Sequence, residues 1–194
     1  MELRKQKKKR RKLYKTLDRN KPMKNLMIQK PTVNRMKKSA ECRILKDGII
    51  PDSDLNAILE NTTAGAECDY TFLCFEDGYY KVRDSIDVSY TIIDFGIAYA
   101  FQAYLFKDFK GYIGVDVSDV GEFACSLLPN AKFYQMDVNK WIETCLKEQM
   151  LDLQKTVAIC SYNPSYKNAD TCSLIKETFP KYYLKYCSWE EMRL

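Results

Sequence analysis

The chain has 194 residues, of which 46% are hydrophobic and 29% are charged, proportions typical of a globular domain with an appendage. No apolar run approaches the roughly 18 residues that a membrane-spanning helix requires, and no apolar segment follows the charged N-terminus, so we expect a cytoplasmic protein that neither enters a membrane nor is secreted. Histidine is absent, which removes a common metal ligand and the usual general base near neutral pH, and we predict no metal site.

The positive charge of the chain is concentrated at its start. Residues 1–38 contain sixteen Lys or Arg and two acids, a net charge of +14, whereas residues 39–194 contain fifteen basic and twenty-four acidic residues, a net charge of −9. A basic arm of this kind binds polyanions, so nucleic acid is a predicted partner of residues 1–38. A flexible, solvated tail and an arm that folds back on its own acidic body are also consistent with this pattern.

Between the arm and residue 90, the sequence predicts a helical or irregular cap over residues 39–89. A helix is expected after Pro51, because Asp52 or Ser53 can cap it and apolar residues recur at helical spacing over residues 55–59. Residues 67–88 are rich in Tyr and Phe, and their pattern leaves the structure open.

From Tyr90 onward, short apolar runs alternate with longer amphipathic segments, which is the pattern of βαβ units. Right-handed crossovers between such units build a parallel sheet that is buried on both faces. The sequence therefore predicts an α/β domain over residues 90–194. The predicted strands are 90–95, 112–117, 132–137, 156–162 and 182–187, and the predicted helices are 99–108, 120–127, 139–152 and 169–178.

The first predicted strand ends in the run DFGIAYA, residues 94–100, which is rich in small residues. A tight strand-to-helix turn at the carboxyl edge of a parallel sheet lets the backbone approach a ligand, and only small side chains leave room for that approach. Gly96 meets this demand, and Ala98 and Ala100 keep the rest of the turn small.

Two further predicted strands end in acidic residues. Asp116 closes the second strand, 22 residues after Asp94, at the position of the carboxylate that binds ribose hydroxyls in dinucleotide-binding folds. Asp137 closes the third strand, and an N-cap of the helix that follows is an equally good interpretation of this residue.

The fourth predicted strand runs into SYNPSY, residues 161–166. This run places Ser161, Asn163 and Tyr166 at the same edge as the acidic residues. Asn and Pro initiate turns readily, so an ordinary turn that leaves a strand is the alternative interpretation.

The order of these motifs over residues 90–187 resembles that of class I, Rossmann-like, S-adenosylmethionine (SAM)-dependent methyltransferases. The resemblance implies that SAM is the cofactor, that Asp116 binds its ribose and that Asp137 lies near its adenine. It also implies that the methionine part of SAM is held by Asp94, Gly96, Ala98 and Ala100.

Asn163-Pro164-Ser165-Tyr166 is similar to the Asn-Pro-Pro-Tyr motif of methyltransferases that act on the amino group of adenine. This similarity implies that Asn163 and Tyr166 act on the methyl acceptor. Ser161 would face the acceptor with them, and we also count it among the cofactor-binding residues. The fold implied is a truncated methyltransferase sheet of about five parallel strands in the order 3-2-1-4-5. Its edge beyond the fifth strand would be exposed unless the N-terminal segment or a partner covered it.

Three functions follow as hypotheses. The first is SAM-dependent methyl transfer to an acceptor that the sequence does not identify, with nucleic acid as one acceptor class. The second is a catalytically inactive, methyltransferase-like protein that docks on nucleic acid or a nucleoprotein through residues 1–38; it is motivated by the alanines of the turn, the short sheet and Ser165. The third is a nucleic-acid binder that uses its basic arm and takes no small ligand.

Overall fold

A computed structural model of the protein describes residues 43–61, 76–161, 169–186 and 189–194. The described residues form one mixed sheet with helices on both of its faces, which confirms the predicted α/β class. The basic arm lies outside the described residues. None of the helices in these ranges has the length and apolar content that crossing a bilayer demands.

The sheet has six strands in the order β3-β2-β1-β4-β5-β6. β1 lies at its centre, and the first five strands are mutually parallel, so their carboxyl ends meet at one edge. The switch point of the topology is β1, from which the chain builds outward first to β2 and β3 and then to β4 and β5. The strands are β1 (Thr91–Phe95), β2 (Gly111–Asp116), β3 (Ala131–Gln135), β4 (Thr156–Cys160), β5 (Lys181–Tyr186) and β6 (Trp189–Arg193).

The sixth strand corrects the expectation of a five-stranded, parallel sheet with an open edge beyond β5. β6 pairs antiparallel with β5 along its whole length, from Tyr182 opposite Arg193 to Tyr186 opposite Trp189. The sequence of β6, Trp-Glu-Glu-Met-Arg, has no apolar alternation because the strand is mostly exposed at the edge of the sheet. Charged side chains at such an edge oppose pairing with a further strand.

The helices of the described residues are short. The helix predicted after Pro51 is confirmed as α2, and the predicted helix 169–178 is confirmed as α6. The α-helices are α1 (Arg43–Lys46), α2 (Asp52–Asn61), α3 (Glu76–Ser85), α4 (Glu122–Ser126), α5 (Val138–Glu148) and α6 (Ala169–Thr178), with 3-10 helices at Phe101–Phe106 and Leu153–Lys155.

The helix predicted over residues 99–108 is instead the 3-10 helix Phe101–Phe106. The left-handed backbone of Ala100 immediately precedes the first turn, so the helix begins later than predicted. All six of its side chains are buried, and it lacks the polar face that an amphipathic surface helix presents to water.

Two apolar layers cover the sheet. On one face α1, α2, α3, α4 and the first 3-10 helix bury Leu55, Tyr79 and Phe106 against Ile92 and Tyr112. On the other face α5 and α6 bury a second cluster that includes Phe95, Trp141, Ile175 and Phe179. The described part of residues 39–89 therefore forms a layer of the α/β fold and shares its core with β1, β2 and β4.

Candidate functional site

The turn that follows β1 has left-handed backbone at every second residue. The φ angles are 78° at Gly96, 46° at Ala98 and 57° at Ala100. A Cβ atom makes this conformation unfavourable by roughly 1–2 kcal/mol, so all three positions favour glycine. These are the three positions that the sequence analysis singles out for their small side chains. One of them is glycine, and the other two are alanine.

The neighbouring strands hold this turn at the carboxyl edge. Phe95 pairs with Val115 on one side and Cys160 on the other, so Gly96 lies level with Asp116 and Ser161. Gly96 donates its backbone N–H to the carbonyl of Val115 at 2.8 Å, and Ala98 donates its own to Oδ2 of Asp116 at 3.1 Å. We refer to residues 96–100, Asp116, Val117 and Ser161 as the carboxyl-edge site.

Ile97 anchors the turn in the core. It is almost fully buried, and its Cδ1 atom would lie 2.4 Å from a Cβ added at Gly114 and 2.6 Å from one added at Gly121. Real Cβ atoms do not approach carbon so closely, so the Ile97 side chain fits here because Gly114 and Gly121 have no side chains. Sequence reasoning missed this role, although a glycine inside the apolar strand β2 is a signal of close packing.

Asp116 is the acceptor at the tip of β2. Its Oδ1 accepts from the backbone N–H of Ser118 at 2.9 Å and from the Ser118 hydroxyl at 3.0 Å. The side chain of Val117 beside it is 69% exposed, more than any other large hydrophobic side chain in the described part of the chain. A carboxylate and an exposed apolar surface therefore adjoin at this edge.

Asp94 lies two residues before the turn and has no exposed surface. Its Oδ1 accepts from the Tyr79 hydroxyl at 3.0 Å, and its Oδ2 accepts from the Tyr112 hydroxyl at 2.7 Å and from Nε2 of Gln102 at 2.9 Å. Burial and, to a smaller extent, the charge of Asp116 raise the pKa of Asp94 to about 7, since the desolvation cost of the charge exceeds the stabilisation from these donors.

The contacts of Asp94 extend to both walls of the carboxyl-edge site, which are the turn 96–100 and the end of β4 at Ser161. The Tyr79 hydroxyl lies 2.5 Å from Oγ of Ser161, which is itself only 4% exposed. Nε2 of Gln102 also donates to the carbonyl of Ile97 at 3.2 Å. We call Asp94, Tyr79, Gln102, Tyr112 and Ser161 the buried network.

Three members of the buried network were not predicted from the sequence. Gln102 is the only polar residue in the apolar 3-10 helix apart from a tyrosine, and a buried amide of this kind indicates a hydrogen-bond partner. Tyr79 falls in the segment whose pattern left the structure open. Tyr112 begins an apolar strand and carries no comparable signal.

The remaining predicted site residues are placed differently. Asp137 is exposed and is the N-cap of α5, where its carboxylate accepts from the backbone N–H of Lys140 at 3.2 Å. This is the alternative interpretation of Asp137, and its place near an adenine stays a prediction. Asn163 and Tyr166 lie outside the described residues.

Three thiols of the described core, those of Cys125, Cys145 and Cys172, are poorly suited to act as nucleophiles. Burial raises the pKa of Cys125 to about 12, and burial also raises the pKa of Cys145 and Cys172. These groups stay protonated near neutral pH, and the thiolate is the reactive form of cysteine. Within residues 43–61, 76–161, 169–186 and 189–194, no group of three or more acidic or cysteine side chains has the arrangement of a metal site.

No family model matches this sequence, and no curated protein matches it. The carboxyl-edge site combines a turn of small residues, a carboxylate and an apolar surface at the switch point of a parallel sheet. Ligands of α/β folds bind outside the carboxyl ends of the strands at such points. A ligand with hydroxyl donors next to an apolar ring system, such as a nucleoside, complements these three features.

Proposed function

We propose that the carboxyl-edge site binds the nucleoside part of SAM and that the protein transfers the methyl group of SAM to an acceptor. The observation that supports this best is the turn after β1, with left-handed backbone at Gly96, Ala98 and Ala100, beside the carboxylate of Asp116. A small-residue turn lets a ligand approach the backbone, and a neighbouring carboxylate accepts hydrogen bonds from ribose.

The described contacts of Asp116 leave hydrogen-bond acceptor sites on its carboxylate for a ribose. An ionised carboxylate has about four acceptor sites, and the protein occupies three of them through Ala98 and Ser118. One of these three donors is the Ser118 hydroxyl, which rotates freely and yields its place to a ribose hydroxyl. The exposed side chain of Val117 then provides an apolar surface for the adenine ring.

The proposed reaction does not require a histidine or a reactive thiol. Bound SAM supplies a methyl group already activated by its positively charged sulfur. The task of the protein is to hold the acceptor and this methyl group in line and to exclude water, which by itself accelerates such a displacement by many orders of magnitude. Asn163 and Tyr166 are the residues that we propose for the acceptor side.

Calorimetric titration with SAM and with its demethylated product, S-adenosylhomocysteine, tests the cofactor. In the Val117→Arg variant we expect the dissociation constant to rise at least about tenfold with an unchanged unfolding temperature, because the side chain is exposed and its loss costs no packing. Val88→Arg is the matched control, since Val88 is 56% exposed but precedes β1 at the opposite edge. The absence of heat at millimolar cofactor would refute the proposal.

A second candidate is a methyltransferase-like protein that binds the cofactor without turnover and docks on nucleic acid through residues 1–38. Two observations favour a cofactor that is held too loosely for efficient transfer: Ala98 and Ser118 already donate to Asp116, and a short 3-10 helix replaces the longer helix that would direct its N-terminus at the ligand. Cofactor binding without methylated product on DNA, RNA or protein substrates would select this candidate.

A further inference from the structure

We propose that Asp94 is a positioning residue, whose ionised carboxylate fastens the turn 96–100 and the end of β4 to each other. While Asp94 is ionised, the Ser161 hydroxyl donates inward to Tyr79 and its oxygen is left to accept from a ligand; when Asp94 takes up a proton, this pattern is reversed. The ligand-binding part of this inference rests on the proposed function, whereas the link between the two walls of the site does not.

The geometry supports this role because the two arms of the buried network start at one carboxyl group. One arm runs from Oδ2 through the side-chain amide of Gln102 to the carbonyl of Ile97 inside the turn. The other runs from Oδ1 through the Tyr79 hydroxyl to Ser161 at the end of β4. Asp94 has no exposed surface, so an incoming ligand meets the ends of these arms before it meets the carboxyl group.

The direction of each hydrogen bond depends on the charge of Asp94. An ionised carboxylate only accepts, so the Tyr79 hydroxyl donates to Asp94 and must accept from Ser161. A protonated carboxyl group carries a hydrogen of its own, which has to point at one of the hydroxyls that formerly donated to it. If that hydroxyl is Tyr79, it reverses and donates to Ser161, so protonation at Asp94 is felt at the edge of β4.

Asp94 is the group in this cluster that changes charge near neutral pH. Tyr79 of α3, Tyr112 of β2 and Cys125 of α4 face it, and burial raises the pKa of each of these groups, so they stay protonated. The nearby charge that acts on Asp94 is that of Asp116, at the end of β2. Gln102 of the 3-10 helix and Ser161 after β4 do not titrate.

A ligand-free measurement tests the coupling. In nuclear magnetic resonance spectra recorded from pH 5 to 9, we expect the side-chain carbon of Asp94 and the amide nitrogens of Ala98 and Ser161 to titrate with one midpoint. The Ala98 nitrogen reports on the Ile97 carbonyl, to which it is bonded. In Asp94→Asn both amide signals should lose this transition, and amide signals in the wild type that ignore the Asp94 midpoint would overturn the proposal.

Binding of S-adenosylhomocysteine provides the second test. We expect affinity in the wild type to be about tenfold higher at pH 8.0 than at pH 5.5, the effect of one hydrogen bond to a charged group. This dependence should vanish in Asp94→Asn and shrink in Tyr79→Phe, which keeps the arm through Gln102. Tyr104→Phe is the matched control, because the Tyr104 hydroxyl also donates to a carboxylate, Asp54, but lies outside the buried network.

The outcomes separate the two proposals. If no variant binds the cofactor product at any pH, the proposed function fails while the magnetic resonance titration still decides the role of Asp94. If the wild type binds with no dependence on pH, or if Asp94→Asn binds as tightly as the wild type at pH 8.0, the positioning role is wrong and the proposed function stands. Tighter binding by Tyr79→Phe would show that Asp94 contacts the ligand directly and would also overturn the positioning role.

Discussion

The single carboxyl group of Asp94 gives the protein a pH dependence of unusual sign. Its pKa in the folded chain is about 7, above an ordinary value of 3.8, so the folded state binds this proton more tightly than the unfolded state. The stabilisation is fully present below about pH 4 and is lost as the pH rises through 7. Most buried or paired carboxylates with lowered pKa values act in the opposite direction.

We predict that the free energy of unfolding falls by about 2 kcal/mol between pH 5.5 and pH 8.0 because of Asp94. Urea unfolding at the two pH values measures this change. Asp94→Asn should remove it, since an amide does not titrate. Asp87→Asn is the control: hydrogen bonds from Ser89 lower the pKa of Asp87, so its own contribution is lost only at more acidic pH. A wild-type difference that survives in Asp94→Asn would contradict the prediction.

At the scale of single residues, the sequence predicts which acidic and small residues belong to the site, but it does not predict which side chains contact them. The acids Asp94 and Asp116 and the small residues of the turn follow from their positions after apolar strands. The donors that surround Asp94 do not, because Tyr79 and Tyr112 are separated from it by 15 and 18 residues and meet it only through tertiary packing. No spacing rule for a helix or a strand connects such positions.

At the scale of elements, burial decides what the sequence reveals. β1 and β4 are buried on both faces, so their sequences are nearly continuous apolar runs. The ends of both strands were therefore predicted to within two residues. β6 is exposed, and its pairing with β5 and the ion pairs of Glu190 and Glu191 stabilise it in place of an apolar pattern. α3 was not predicted because it contains a glycine and buries two adjacent tyrosines.

The glycine of α3 leads to a prediction against helix propensity. A Cβ added at Gly78 would lie 2.0 Å from the Tyr183 hydroxyl oxygen, so the helix packs on β5 only without a side chain there. We expect Gly78→Ala to lower the free energy of unfolding by about 1–3 kcal/mol, although alanine favours helices by about 1 kcal/mol over glycine.

Chemical denaturation of Gly78→Ala measures this effect, with Asp77→Ala as the control in the same helix. The Asp77 side chain is 86% exposed, and its removal should cost less than about 1 kcal/mol. A Gly78→Ala protein as stable as the wild type would mean that Tyr183 moves aside freely.

At the scale of the whole molecule, charge separates the arm from the body. Residues 1–38 carry +14 and residues 39–194 carry −9. If the arm binds nucleic acid, each neutralised phosphate contributes about −0.9 to the slope of log affinity against log salt. We therefore expect the full chain to bind duplex DNA with a steep salt dependence.

Deletion of residues 1–38 should abolish this binding, because the remaining chain has a net negative charge. Fluorescence anisotropy from 50 to 200 mM salt measures both the affinity and the slope, and about six phosphate contacts would weaken the affinity roughly a thousandfold over this range. Equal binding by the truncated and full chains would contradict a role for the arm in nucleic-acid recognition.

The division of the chain into an arm, a cap and an α/β domain stays a prediction. The described part of residues 39–89 supplies three helices to one face of the sheet. The amphipathic pattern of α2 predicts that it buries a face but does not specify which surface receives it. That choice depends on the shape of the sheet, which forms from residues much later in the chain.

The central position of β1 also affects how this protein is made. Thr91 pairs with Thr156, 65 positions later in the chain, so one edge of β1 has no native neighbour until β4 is synthesised. At about 5–20 residues per second, the ribosome takes about 3–13 s to cover that distance. During this interval one edge of an apolar strand is unpaired, and such an edge exposes a nascent chain to aggregation.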